Sequence, residues 1–117
     1  MISACSGSIS ALFAFGKKMA VIANNVANSQ SDGFRKSRTV LTESPVKGVS
    51  AEAMIIESQG NLAYGEKEGK ESVRKISNVD LSQEISHSLL TKRYYQANLR
   101  VITVKEEMSE SLLDIIE

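Results

Sequence analysis

The feature that most constrains this chain is its last third, Asp80–Glu117, which contains neither Pro nor Gly. Asp80 stands ahead of an apolar run, and Gln83 and Glu84 follow it at positions typical of a capping box. This arrangement predicts a helix that starts near Asp80 and continues without a break. At 1.5 Å per residue the helix would be about 55 Å long, so it needs a partner surface along most of its length.

The apolar residues of both ends of the chain recur at helical spacing. In the C-terminal segment they are Leu81, Ile85, Leu89, Tyr94, Ala97, Val101, Val104, Met108, Leu112 and Ile115. In the N-terminal segment they form a heptad series of Ile2, Cys5, Ile9, Leu12, Gly16, Met19, Ala23 and Val26. We therefore predict a mainly α fold, in which long N- and C-terminal helices pair as an antiparallel coiled-coil hairpin, with a short irregular or β-containing insert.

Both predicted helices also carry apolar residues away from these stripes, such as Phe13 and Ile22 in the first and Ile102 in the second. A helix with apolar residues on more than one side needs more than one neighbour. We therefore expect the helices to be covered partly by other copies or relatives of the chain. The residues expected to carry packing and assembly are Ile9, Leu12, Met19, Val26, Leu89, Tyr95, Val101, Met108 and Leu112.

A polar elbow, residues 24–38, follows the first helix. Asn tolerates left-handed geometry, Gly adopts it without a side-chain penalty, and Asx side chains bond nearby backbone amides. An apolar Phe then provides an anchor, with basic residues behind it. The residues that define this elbow are Asn24, Asn25, Asn28, Gly33 and Phe34.

The middle of the chain differs in kind from its ends. It contains the one Pro of the chain, Pro45, and several Gly. Short strands are predicted at Val46–Val49 and Ala53–Glu57, and the charged run 65–72 is predicted to be a mobile surface loop. The expected organisation is 1–38 as helix and elbow, 39–77 as insert and 78–117 as the long helix, all in one structural domain.

Composition argues against most chemical functions. The 14 basic and 14 acidic residues balance, which does not favour nucleic acid as a partner. Cys5 is the only Cys and His87 the only His, so neither a disulfide nor a Cys/His metal cluster is expected within the chain. No catalytic motif is present. We expect a protein that is not an enzyme and that has no cofactor or metal.

Membrane insertion and general secretion are not expected either. Lys17 and Lys18 interrupt the most apolar window before it reaches the length of a membrane span. The N-terminus lacks the basic leader and cleavage site of a signal peptide. If the protein leaves the cytoplasm, we expect it to do so by another route.

Two segments resemble the terminal signatures of the bacterial flagellar rod and hook family. The first is residues 11–38, ALFAFGKKMAVIANNVANSQSDGFRKSR, which is similar to that family's N-terminal helix and its ANNxAN…DGF elbow. The second is residues 77–116, which resembles the family's C-terminal helix with its SNVDL start and an aromatic-Gln-Ala-Asn centre at 95–98. The insert is short, as in proximal rod members.

The resemblance implies a structural subunit of the flagellar basal-body rod, which assembles through its terminal helices into a hollow helical tube that transmits torque. Its partners would be copies of itself, other flagellar axial proteins and the type III export apparatus, which would export the chain without a cleaved signal peptide. Phe15 and Met19 match the Phe-x-x-x-hydrophobe element that such subunits present to the export gate, although two ordinary helix positions explain them equally well.

A second hypothesis from another class is a small helical adaptor or export chaperone that binds one secreted flagellar subunit through its amphipathic ends. Such a protein would form a stable 1:1 complex with its client and be absent from isolated basal bodies. An exported rod subunit would be present there.

Overall fold

The computed structural model describes residues 2–116, except for the side chains of residues 2–4. The side chain of Ile2, a predicted stripe position, therefore lies outside the described residues. Two helices enclose four strands in the order α1 (Ile2–Ala27), β1 (Ser37–Glu43), β2 (Val49–Ile55), β3 (Leu62–Lys67), β4 (Lys70–Lys75) and α2 (Leu81–Ile116). The strands form two separate antiparallel hairpins, β1–β2 and β3–β4. The molecule is elongated, with extents of 83 × 26 × 16 Å.

Helix α2 begins where the capping pattern predicts. The Asp80 carboxylate accepts a hydrogen bond from the backbone N–H of Ser82 at 3.0 Å, and the Asp80 carbonyl accepts one from Glu84 at 3.0 Å. An Asp at this position satisfies an N–H group that has no partner within the helix. The helix then runs for 36 residues, about 54 Å.

Helices α1 and α2 lie side by side in opposite directions. Asn25, near the end of α1, contacts Glu84, near the start of α2. The rings of Phe15 and Tyr94, further from the elbow, lie 5.4 Å apart between their centroids. Because α1 has 26 residues and α2 has 36, the end of α2 extends past the start of α1. From Glu110 to Ile116 every residue of α2 is exposed.

The β1–β2 hairpin packs along another side of α1. Its register pairs Ser37 with Ile55 at one end and Glu43 with Val49 at the other. The Ser10 hydroxyl of α1 accepts a hydrogen bond from the Val49 N–H at 3.1 Å and so fixes the far end of the hairpin to the helix. Gly48 allows this approach, since it has a φ of +131° and a Cβ there would lie 2.3 Å from the Ser10 Oγ.

The near end of the same hairpin is held by one buried amide. The Asn25 side chain is 1% exposed, accepts the Ser37 N–H at 2.9 Å and donates to the Ser37 carbonyl at 2.7 Å. It also donates to the Glu84 carboxylate of α2 at 3.3 Å. A single side chain therefore joins α1, β1 and α2.

The β3–β4 hairpin is attached to the elbow. The Gly33 N–H donates to the Lys75 carbonyl at 2.8 Å, and Asp32 forms an ion pair with Arg74 at 3.2 Å. The strands are joined by a two-residue turn, Glu68 and Gly69, both with positive φ, as tight hairpins with twisted strands require. The prediction of a mobile loop over 65–72 is wrong, because this Gly-containing run is a strand, a turn and the start of another strand.

The predicted fold class, a mainly α protein built as an antiparallel coiled-coil hairpin, is also wrong. Helices make up 53% of the chain, and four strands fill much of the rest. The heptad pattern correctly indicates two long helices, but such a pattern does not specify what covers each stripe. In the structure β1–β2 covers part of α1, and most large residues of the predicted α2 stripe are exposed, although Tyr94 of that stripe packs against Phe15 of α1.

Gly48→Ala is expected to lower the free energy of unfolding by about 2 kcal/mol, because the new methyl group collides with Ser10 in a conformation unfavourable to L-residues. The matched control is Gly16→Ala. Gly16 lies within α1 with nothing within 4 Å of a built Cβ, so this change should stabilise the chain by about 0.5–1 kcal/mol. Urea unfolding followed by circular dichroism measures both, and equal effects would contradict the role given to Gly48.

Asn25→Ala is expected to lower the free energy of unfolding by about 1–3 kcal/mol, since it leaves groups of Ser37 and Glu84 buried without their partner. Asn24→Ala is the neighbouring control. Asn24 is exposed, and its side chain accepts one hydrogen bond, from Asn28, so a change within about 0.5 kcal/mol is expected. Similar losses for the two variants in the same urea experiment would refute the three-way contact.

Candidate functional site

The most unusual property of the molecule is how little of its apolar side-chain surface it buries. Among the described side chains, the buried hydrophobic residues are Ala11, Ala14 and Ile22. Two of these three are alanines, whose side chain is a single methyl group. Large apolar side chains are exposed along the whole of α2 and on one side of α1. Surfaces of this kind usually mark contacts with other molecules.

The face of α2 that the chain covers is mainly polar. Most of its least exposed positions recur every three or four residues, and Thr103 is the exception. These positions are Glu84, Ser88, Thr91, Asn98, Ile102, Thr103, Lys105 and Ser109. The corresponding buried positions of α1 are also small or polar at both ends, with Ser8 and Asn25 among them. The two helices therefore meet through surfaces that contribute little hydrophobic stabilisation.

Most of the predicted apolar stripe of α2 is left uncovered by the chain, although the Tyr94 ring packs against Phe15 of α1. We call its exposed large members that have no such contact the outward stripe: Leu81, Ile85, Leu89, Val101, Val104, Met108, Leu112 and Ile115. Exposure reaches 61% at Leu89 and 78% at Ile115. On α1, Ile9, Phe13 and Val26 are exposed as well, with Phe13 at 77%. An exposed row over about 50 Å of helix is a surface for a partner of similar length.

An apolar groove of about 370 Å³ lies between the helices on one side. It brings together five positions that the sequence pattern singles out, Phe15, Gly16, Met19 and Ala23 of α1 and Tyr95 of α2. Ala20, Thr91 and Lys92 complete it. The small residues of α1 make this groove shallow enough for a side chain from another molecule to reach the helix backbone.

The elbow residues have different surroundings. Asn25 is buried in the three-way contact, while Asn28 closes the end of α1 by donating to the Asn24 carbonyl at 2.9 Å. Gly33 has a φ of +71° and holds the β3–β4 hairpin through its N–H, and Phe34 is half-buried beside it in the chain. Of these five positions, Asn25 and Gly33 therefore join the helices and the hairpins, whereas Asn24 and Asn28 bond within the end of α1 and the turn after it.

Sequence patterns do not identify the second amide of this joint, Asn78. Its carbonyl oxygen accepts the Lys36 N–H, and its amide group donates to the carbonyl oxygens of Ile56 and Ser58 at 2.9 and 3.0 Å. Asn25 thus binds Ser37, the first residue of β1, and Asn78 binds Lys36, the residue before it. Their amides resemble peptide groups, which explains why they can replace a missing strand here.

The other positions weighed for chemistry do not come together. His87 is exposed on α2 and Cys5 is half-buried in α1. Within residues 5–116 no group of His, Cys, Asp or Glu side chains is placed to hold a metal ion. Over the same described part of the chain, neither helix combines the length and hydropathy that crossing a bilayer requires.

Family comparison agrees with the two ends of this architecture. A model described as flagella basal body rod protein matches residues 8–35, which cover most of α1 and the elbow. A model described as flagellar basal body rod FlgEFG protein C-terminal matches residues 75–115, which cover α2 and its start. Comparison with curated proteins finds no match. The two family matches lie in the expected order and together span more than half of the residues, and the chain belongs to the flagellar rod and hook family.

Proposed function

We propose that this chain is a rod subunit whose outward stripe is covered by other copies and by related axial proteins, which together form a helical tube that transmits torque. Family membership supports a structural role in the flagellar basal-body rod. The observation that carries the finer proposal is the outward stripe, because a folded copy alone has no surface of its own to cover it.

The energetics favour shared burial. Covering a half-exposed large apolar side chain contributes about 1 kcal/mol, so the eight residues of the outward stripe can drive association once orientation is fixed. The polar inner faces cannot supply this stabilisation within one copy. Association between copies would then order and stabilise each of them by mass action.

The assembly roles assigned to Ile9, Leu12, Met19, Val26, Leu89, Tyr95, Val101, Met108 and Leu112 are part of this proposal. Most of them are exposed, and Leu12 and Met19 are half-buried. Leu89, Val101, Met108 and Leu112 lie on the outward stripe. Met19 and Tyr95 line the apolar groove. All are therefore accessible, at least in part, to a neighbouring molecule.

Torque transmission follows from this arrangement by a mechanical argument. Each contact between helices is weak, but a tube places many of them in parallel around its wall. Twisting the tube then requires many contacts to shift together. The elbow joint, with Asn25 and Asn78 at its centre, would keep each pair of helices in one orientation under load.

Leu89→Asp is expected to abolish incorporation into basal bodies and motility. The exposed side chain contributes little to the folded monomer, so the free energy of unfolding should change by less than about 0.5 kcal/mol. Ser86→Asp, an exposed polar position one turn away, is the matched control and should remain motile. The measurements are immunoblots of detergent-washed basal bodies and swimming in soft agar.

Full motility of the Leu89→Asp strain would overturn the role of the outward stripe. Absence of the wild-type chain from washed basal bodies, with a stable 1:1 complex with a secreted subunit, would overturn the rod role itself and favour an adaptor or chaperone.

We also propose that the chain is delivered unfolded by the flagellar type III apparatus, without a cleaved signal peptide, and that Phe15 and Met19 form its export-gate element. In the folded chain Phe15 packs against Tyr94, so Phe15→Ser and Tyr94→Ser remove the same ring contact. Export of an unfolded chain should fall with Phe15→Ser and stay unchanged with Tyr94→Ser. The amount of each variant outside the cytoplasm measures this, and equal export would refute the element.

A further inference from the structure

The two ends of the molecule carry opposite charge. From Glu106 to Ile116 the sequence has four acidic residues and no Lys or Arg, whereas residues 35–38 contain three basic residues and no acidic one. The chain as a whole has no net charge. Four of the 14 acidic residues and three of the 14 basic residues are therefore segregated in two separate regions, and surfaces of opposite charge attract one another.

The acidic region is the free end of α2. Glu110 and Asp114 have no ion-pair partner among the described residues, and Glu107 has a single exposed contact with Arg100 at 3.8 Å. The same end carries Met108, Leu112 and Ile115 of the outward stripe. It is thus an amphipathic helix end, with every residue from Glu110 onward exposed.

The basic region borders a groove at the opposite end of the molecule. The groove has a volume of about 550 Å³ and lies between α1, β1 and the start of α2. Lys18, Lys36 and Arg38 line it, and none of them has an ion-pair partner within residues 5–116. Its apolar lining comes from Val21, Ile22 and Ile56. His87, Glu84 and the polar groups of neighbouring residues complete the wall.

The acidic end cannot reach this groove within one molecule. Glu84 lines the groove, and 30 residues of continuous helix separate it from Asp114, a distance of about 45 Å. The carboxylate of Glu84 is itself bonded to Asn25, so it leaves the cationic side chains available. Any contact between the two regions must therefore join different molecules.

We propose that the end of α2 of one copy docks in the basic groove of a second copy. This inference rests on the proposed rod function and gives it an axial contact. Glu110 and Asp114 would face Lys36 and Arg38, and the apolar side of the helix end would lie against Val21, Ile22 and Ile56. Because this contact joins two different regions, each pair of copies still has one unoccupied groove and one unoccupied helix end. Repeating the contact therefore builds an open filament, unless the rotation between successive copies closes a ring.

Charge exchange tests this contact in the full-length chain. One variant reverses the helix end, Glu110→Lys with Asp114→Lys, a second reverses the groove, Lys36→Glu with Arg38→Glu, and a third combines all four changes. The first and the second variant should each raise the concentration for half-association about tenfold. The fourfold variant should bring that concentration back nearly to the wild-type value. Sedimentation velocity measures association, and circular dichroism checks that each variant folds.

Lys67→Glu with Lys70→Glu is the matched control, because it reverses two exposed charges at the tip of β3–β4, away from both regions. Association should not change in this control. A fourfold variant that associates no better than the single reversals would overturn the contact. A control that weakens association equally would also overturn it, since net charge rather than position would then be responsible.

Crosslinking in cells separates this inference from the rod role. Arg38→Cys and Asp114→Cys, combined in one chain with Cys5→Ser, should give disulfide-linked multimers of the chain in isolated basal bodies. Incorporation into basal bodies without such multimers, or with a crosslink to a different axial protein, would overturn the head-to-tail contact and leave the rod role standing. Failure of the wild-type chain to enter basal bodies would overturn both.

Discussion

The architecture depends on one buried amide at the elbow. Asn25 presents a donor and an acceptor to Ser37 in the manner of a paired strand, and its second amide hydrogen reaches Glu84. A buried polar group is costly without partners, so this site strongly favours a single arrangement of α1, β1 and α2. Asn78 adds the residue before Ser37 to the same joint. Hydrogen-bond geometry, rather than hydrophobic packing, therefore fixes the angle between elements in this small protein.

Hydrophobic surface has a different task in this chain. The inner faces of the helices are small or polar, while the large apolar residues are exposed. In a protein that functions alone this distribution would favour aggregation. In a member of a rod family this distribution gives folding and assembly to different parts of the chain. The polar joint determines the shape of each copy, and the apolar surface remains available for its neighbours. Charge at the two ends can then add direction to that association.

Much of the helical part could be predicted from the sequence. The absence of Pro and Gly after Asp80 indicated the long helix, the Asx capping pattern located its start, and the Asn and Gly residues after Val26 indicated the end of the first helix. The family could be inferred because those same local signals, ANNxAN and SNVDL, occur as fixed motifs at the two ends.

The tertiary arrangement could not be predicted in the same way. Heptad spacing identifies an apolar stripe but carries no information on whether the chain or another molecule covers it, and here that led to the wrong fold class. The charged half of β3 and the start of β4 do not read as strands, because Glu66, Lys67, Lys70 and Glu71 are exposed and show no apolar alternation. Asn78 was missed because a polar residue before a helix is common, and its partners at Lys36 and Ile56 are distant in sequence.

The position of the Asn25 joint has a mechanical consequence. The helix pair is fastened by directional bonds at the elbow and by the ring contact of Phe15 with Tyr94, whereas the buried residues nearer the start of α1, such as Ser8 and Ala11, are small. Bending or shear should therefore be resisted most at the elbow and accommodated toward the opposite end. Each copy would behave as a clamped beam, stiff at its root and compliant at its tip, so that small mismatches between neighbours are absorbed without loosening the joint.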